Sequence, residues 1–412
     1  MATGHASRMR RALETTGWGL YLASSWTWCI GMFLPILLLR WWGWPGFFAF
    51  AIPNVLGCML FGYVLTPQTS RMWCERFAKP MRWFAWATIA FQAWFLVWAT
   101  TGIPTASGLA SVVPIIAFVF LFFPGGKRFW IGAGSLAFLA SMVLFAVNGM
   151  GSLAVEAPAG SLSMASLAFA APCISFGFLL CPYLDPTFHR ALQQSPSRHS
   201  FAVFGIAFLL QLLFAASTFD NRIGGPHVTS AIWMQWMMQT GFTMCALVAV
   251  TGPIARSVWA SAPVDPMDLL MKASMTRRMV WLVGVPAMAA VLGPILLQVM
   301  TIATKANPIL MPAADLLHNG DVTDWSAGEA TYLRWLGLFG VVFPGWLALR
   351  LRGRSTATTW GTLLFAAALA DQGMVGARTY LLLISCGVIL IVAFLPSQPR
   401  NETNEIVPAD SR

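Results

Sequence analysis

In a chain that is 58% hydrophobic and only 10% charged, the side chains able to do chemistry are few. Asp185, His189 and Arg190 follow the end of a long apolar run. Asp185 and His189 are four apart, a spacing that puts two side chains on one helix face. Pro186 suits the first turn of a helix that Asp185 would cap. Such a helix would turn Arg190 to water or lipid headgroups, or form an inner gate in which Asp185 pairs with a basic residue of another loop. Ser24, Ser25, Thr27, Trp28 and Gly31 cluster in one apolar run, and Ser175 and Gly177 in another. Gln92 with nearby Trp94, and Gln239 with Thr240 and Thr243, supply further polar groups inside apolar runs. Asn54, Gln211, Gln235 and Gln298 read as hydrogen-bonding glue between helices. No charged residue sits in the middle of a run. A charge at mid-bilayer costs at least about 2.5 kcal/mol, so functional ones are usually visible. This pattern argues against a buried carboxylate relay and against a strongly charged ligand. It suits a small neutral or zwitterionic solute held by hydroxyls, amides and helix ends.

The elements that would position these groups are membrane helices. A helix needs roughly 20 apolar residues to cross the hydrocarbon core, and the runs are too long and continuous for barrel strands. About twelve are legible: Gly17–Leu39, Pro45–Thr66, Trp83–Gly102, Gly108–Phe123, Phe129–Val147, Ser163–Leu184, Phe201–Ser217, Ser230–Ile254, Met279–Thr304, Ala330–Leu349, Thr358–Ala370 and Thr379–Leu395. The first is too long for a signal peptide and reads as a retained span.

Lys and Arg divide about four to one between alternate connections, with the N-terminal side favoured. By the positive-inside rule both termini are cytoplasmic and the protein lies in the plasma (inner) membrane. The net charge of +10 is thereby explained without nucleic acid. The opposite side carries Glu156, Asp220, Asp315, Asp321, Asp324 and Glu329. The seven cysteines show no metal-ligand spacing and read as small buried residues. Trp26, Trp28, Trp94, Trp98, Trp233 and Trp236 lie deep in runs, whereas tryptophans such as Trp41, Trp83 and Trp325 fall near run ends, where aromatic belts form.

Spans one and six both hold small residues and hydroxyls with Gly followed by Pro: Gly31 and Pro35, Gly177 and Pro182. Lying five spans apart, they run in opposite directions, as the first helices of two inverted repeats must. A proline frees the carbonyl four residues before it, so Gly31 and Phe178 would present backbone oxygen. The segment from Pro182 through Asp185, Phe188 and Arg190 to Leu192 resembles the same place in the sodium:solute symporter and nucleobase-cation-symport families. Both belong to the LeuT-like amino acid–polyamine–organocation superfamily.

That resemblance implies an all-α polytopic fold with a five-plus-five inverted-repeat core and two C-terminal helices. The divisions would be 1–16 (cytoplasmic), 17–151 and 161–350 (the repeats, the second with an outer loop at 305–329), 357–396 (two added helices) and 397–412 (tail). It also implies a Na⁺ site made by carbonyls of span one and hydroxyls of span eight. Thr240 and Thr243 match that pattern, but Met244 replaces its second hydroxyl.

The function expected is therefore secondary transport of an amino acid, nucleobase or betaine-like solute by alternating access. No organic cofactor is called for, and the partners are the solute and the bilayer. The substrate-binding set would be Ser24, Ser25, Thr27, Trp28, Gly31, Gln92, Trp94, Ser175, Gly177 and Gln239, with Asp185, His189 and Arg190 as a gate. The rivals are a membrane-embedded transferase acting on a lipid-linked substrate and a transporter-like sensor. No catalytic constellation supports the first.

Overall fold

A computed structural model describes residues 2–100, 126–147, 160–217, 230–251 and 327–396. Spans four and nine, the loop at 305–329 up to residue 326, and the tail at 397–412 lie outside the described residues. The helices are α1 (Ala2–Trp26), α2 (Cys29–Val64), α3 (Pro67–Arg76), α4 (Ala78–Thr100), α5 (Lys127–Val147), α6 (Met164–Leu180), α7 (Pro186–Gln194), α8 (His199–Ser217) and α9 (Ser230–Thr251). They continue with α10 (Ala327–Gly337), a π turn (Leu338–Val342), α11 (Phe343–Leu351), α12 (Thr356–Met374) and α13 (Tyr380–Phe394). No strand occurs among the described residues.

By length and composition, five described segments can cross a membrane: Cys29–Val64, Lys127–Ala146, Met164–Tyr183, His199–Ala216 and Gly328–Leu351. The expected eleventh span, Thr358–Ala370, lies within the longer helix α12, which Ser355 caps by accepting from the Thr358 N–H.

Spans one and two are joined without a loop. Gly43 has φ 62° and ψ −153° within α2, a backbone region that favours glycine. A Cβ at Gly46 would lie 2.8 Å from the Leu38 carbonyl, so the chain folds back sharply at this corner. The carbonyls freed there are met from outside: Ser161 N–H donates to Arg40 O at 3.1 Å and Leu162 N–H to Trp41 O at 2.7 Å.

α1 packs against α5 and α8, α2 against α6 and α8, and α12 against α13. Polar contacts outside the apolar core gather at two ends. One joins Lys127 to Glu14 at 2.8 Å, Arg11 to the Pro196 carbonyl, and Arg354 to the carbonyls of Ala393 and Leu395. The other joins Arg40 to Glu329 at 3.1 Å and Arg334 to Asp371 at 2.8 Å. Each pair links segments that the charge pattern put on the same side. The Lys127 ammonium holds the Glu14 carboxyl below the usual carboxylate range, chiefly through their hydrogen bond.

Candidate functional site

Span one is broken at Thr27–Trp28, between α1 and α2. The expected breaks were at Gly31 and Gly177, and both positions are helical. At Gly177 the carbonyl accepts from the Cys181 N–H, which keeps α6 intact to Leu180. Gly31 lies inside the first turn of α2, four residues beyond the break's first residue.

The break sits where it does because distant side chains serve its backbone, as buried amides require. The Ala23 carbonyl accepts from Thr27 N–H at 3.1 Å and from Thr27 Oγ1 at 2.6 Å. Ser24 O lies 3.1 Å from Thr243 Oγ1, and Ser25 O accepts from Trp28 Nε1 at 3.0 Å. Trp26 O accepts from Trp28 N–H at 2.8 Å, and Cys29 O from the Tyr332 hydroxyl at 3.2 Å. On the far side, α2 begins at Trp28 with no side-chain cap. Its first N–H groups thus give the break the positive end of a helix dipole.

Side chains from other spans complete the surroundings. Thr27 Oγ1 lies 3.0 Å from Gln211 Oε1, Trp26 Nε1 donates to Asn54 Oδ1 at 2.8 Å, and Ser24 Oγ donates to Gly134 O at 2.8 Å. Asn54 and Gln211 are therefore the interhelical links their polarity suggested. Gln239 Nε2 donates to Ser141 Oγ at 2.6 Å. Thr243 Oγ1 also lies 2.9 Å from Gln239 O. One hydroxyl hydrogen thus serves two carbonyls, while Met244 brings no oxygen.

Several buried polar atoms near span eight have no hydrogen-bond partner: both side-chain atoms of Gln92, both of Gln235, Gln239 Oε1, Thr240 Oγ1 and Trp94 Nε1. Leaving such atoms without a partner is unfavourable by about 1–3 kcal/mol each. Trp94 stacks on Trp98, rings 5.3 Å apart. Trp28 packs between Trp26 and Phe339, at 4.6 and 5.2 Å.

Ser175 and Gly177 do not join this group. Ser175 is half-buried and no described hydrogen bond links it to the break. Gly177 instead meets the π turn, where a Cβ on it would fall 2.7 Å from Gly340 Cα.

The expected gate residues lie on α7, and one expectation is corrected. Asp185 caps α7 as anticipated: its Oδ1 accepts from Thr187 N–H and Thr187 Oγ1, each at 2.7 Å, with Pro186 in the first turn. α7 is not, however, an exposed helix. Its residues from Pro186 to Leu192 are all buried, and Arg190 faces neither water nor headgroups, with only 7% of its surface exposed. α7 is sandwiched between α1, α3 and α9, and the Arg190 guanidinium lies over the Trp130 ring at 5.2 Å. No ion pair joins Asp185 to a basic residue among the described residues; its Oδ2 has no partner.

His189 clamps α7 to α3. Its Nε2 lies 3.1 Å from the Tyr183 carbonyl, so that nitrogen carries the hydrogen. Its Nδ1 lies 2.8 Å from Ser70 Oγ, which itself accepts from Gln193 Nε2 at 2.9 Å. With burial keeping the ring neutral and Nε2 carrying the hydrogen, Nδ1 is the acceptor and Ser70 donates to it. Burial pushes His189 down to about 4 and Asp185 up to about 7.

Sequence reasoning missed Tyr332, Thr187 and Tyr21. A signal was available: with 5 tyrosines against 30 phenylalanines, a hydroxyl placed inside an apolar run is a selected feature. Tyr21 and Tyr332 are both fully buried.

No protein-family model, curated protein or solved structure matches the chain.

Proposed function

We propose that this chain is a secondary transporter of a small neutral or zwitterionic organic solute, working by alternating access across the inner membrane. The reading takes about twelve spans, a LeuT-like core and cytoplasmic termini. The observation that carries it is the interruption of span one beside buried amides and a hydroxyl that have no partner. Interrupted helices in transporters offer a helix N-terminus to anionic groups and bare carbonyls to cations. Here the start of α2 supplies the first, and the Ser24 carbonyl, which shares one Thr243 hydroxyl hydrogen with the Gln239 carbonyl, supplies the second. The amides of Gln92 and Gln235 each offer a donor and an acceptor, which suits amino acids, nucleobases or related solutes.

The transferase alternative draws on an apolar cleft of about 290 Å³ lined by Gly57, Leu60, Trp73, Leu180, Tyr183 and Leu347, among others. Such a cleft suits an acyl chain. Acid–base chemistry would need a carboxyl or imidazole opening into it, and Asp185 and His189 are instead fully buried in hydrogen bonds at α7.

The test is a thermal-shift screen of the purified protein against amino acids, nucleobases and betaine, each with and without Na⁺. Stabilisation of wild type by one of these solutes, lost in Gln92→Ala, supports the reading. Stabilisation only by lipid-linked sugars or acyl donors overturns it.

A further inference from the structure

The carboxyl of Asp185 is fully buried and unevenly satisfied. Thr187 gives two hydrogen bonds to Oδ1, while Oδ2 receives none. A buried carboxylate with one bare oxygen is strongly disfavoured, and such a group holds its proton instead. The Arg190 guanidinium is likewise buried and its Nε and Nη1 have no partner. No ion pair joins Arg190 to Asp185 among the described residues; its guanidinium lies instead over the Trp130 ring at 5.2 Å. The Tyr21 hydroxyl stands in the field of both side chains.

This acid is also wired to the break. Ser25, two residues before it, places its hydroxyl 3.3 Å from Thr187 Oγ1, the same hydroxyl that donates to Asp185. Trp26 packs edge-on to Phe188 at 4.9 Å. A movement of the end of α1 away from α7 would remove both contacts and admit water to the carboxyl.

We infer that Asp185 is a proton-binding site whose occupancy is tied to the position of the broken end of α1, making H⁺ a coupling cation of the proposed transport. The coupling half rests on the transport reading; the proton half rests on Asp185 itself. In the closed arrangement the proton stays on Oδ2. On opening, that O–H bond breaks, its electron pair remains on the carboxylate, and the proton passes to water.

The other titratable groups around the site do not compete. Tyr21 of α1, Cys58 of α2 and Cys181 after α6 are the nearby titratable groups of those elements. His189 is held neutral near pH 7 by burial, against the Tyr183 carbonyl, which favours its charged form. Cys74 of α3 is pushed up to about 12 by burial, the remaining charges of α3 (Arg71, Glu75, Arg76) are exposed, and Cys245 is the one titratable residue of α9. Burial raising Asp185 to about 7 agrees with the geometry.

The experiment has two arms on the full-length protein. In the first, infrared difference spectra of wild type between pH 5 and pH 9 are compared with those of Asp185→Asn, which keeps an N-cap side chain. We expect a protonated-carboxyl band that titrates near pH 7 and is absent from the variant. A spectrum unchanged by Asp185→Asn overturns the proton site. In the second arm, proteoliposomes containing a pH-sensitive dye receive amino acids, nucleobases or betaine. Solute-driven proton entry in wild type, abolished in Asp185→Asn, supports coupling. Solute uptake with the same proton entry in both proteins overturns coupling and leaves transport standing. Uptake of none of these solutes by wild type counts against the transport reading and the coupling that rests on it; the spectra then decide the proton site alone.

Discussion

Gly177 of α6 and Gly340 of the π turn meet backbone to backbone, and the contact is one-sided. A Cβ on Gly177 would fall 2.7 Å from Gly340 Cα, whereas a Cβ on Gly340 would find nothing closer than Cys173 Sγ at 3.8 Å. Gly177→Ala should therefore destabilise the protein by about 1–3 kcal/mol through overpacking. Gly340→Ala should change it by less than about 1 kcal/mol. Melting curves in detergent separate the two; equal losses would show that α6 and the π turn do not pack this closely.

The Tyr332 hydroxyl reaches the Cys29 carbonyl from 303 positions away. Tyr332→Phe removes that bond and little volume, so a loss of about 1 kcal/mol is expected. Under the transport reading it should also loosen the start of α2. Faster hydrogen exchange at Cys29–Phe33 in the variant, with α5 unchanged, is the result to look for.

Asp185 and His189 should give opposite pH dependences. Asp185 rises from 3.8 to about 7 on folding, so its stabilisation is complete below pH 3.8 and is lost as pH climbs through 7. His189 falls from 6.5 to about 4, so its contribution is complete above pH 6.5 and is lost as pH drops through 4. Between pH 4 and 6.5 the two slopes oppose each other. Melting temperatures of Asp185→Asn should rise with pH across that window, and those of His189→Gln should fall. Parallel curves for the two variants would contradict the assignment.

The two polar ends of the helices predict opposite labelling. All seven native cysteines are buried, so a membrane-impermeant maleimide should leave wild type nearly unmodified. Ser161→Cys, at the end holding Arg40 and Glu329, should label in intact cells. Arg10→Cys, at the end holding Glu14 and Lys127, should label only after the membrane is opened. The reverse pattern would invert the proposed orientation.

Local motifs were the legible part of this molecule. The Asp185–Pro186 start of α7 could be read from two adjacent residues, because a cap and a first-turn proline act within one turn. The apolar runs read well for the same reason. The burial of Arg190 could not be read, since it depends on α1, α3 and α9 closing around α7. The position of the break was misplaced for a related cause. Pro35 pointed to a free carbonyl at Gly31, but the chain parts where Thr243 and Tyr332 arrive to satisfy it. Those donors lie more than two hundred positions away. Thr243 reaches the break at the Ser24 carbonyl, while Ser175 does not, because nothing local dictates which face of α6 meets the break.

The corner at Gly43 has a consequence for the order of synthesis. Its carbonyls at Arg40 and Trp41 are met by the N–H groups of Ser161 and Leu162 and by the Ser161 hydroxyl, 121 positions later in the chain. While the ribosome is still producing the intervening helices, the first hairpin must sit in the membrane with its tip unfinished, and water at the bilayer surface has to stand in. The tip becomes native when the segment entering α6 is laid across it. A nascent chain stalled before Ser161 should therefore hold a loose first hairpin, and release past Leu162 should tighten it.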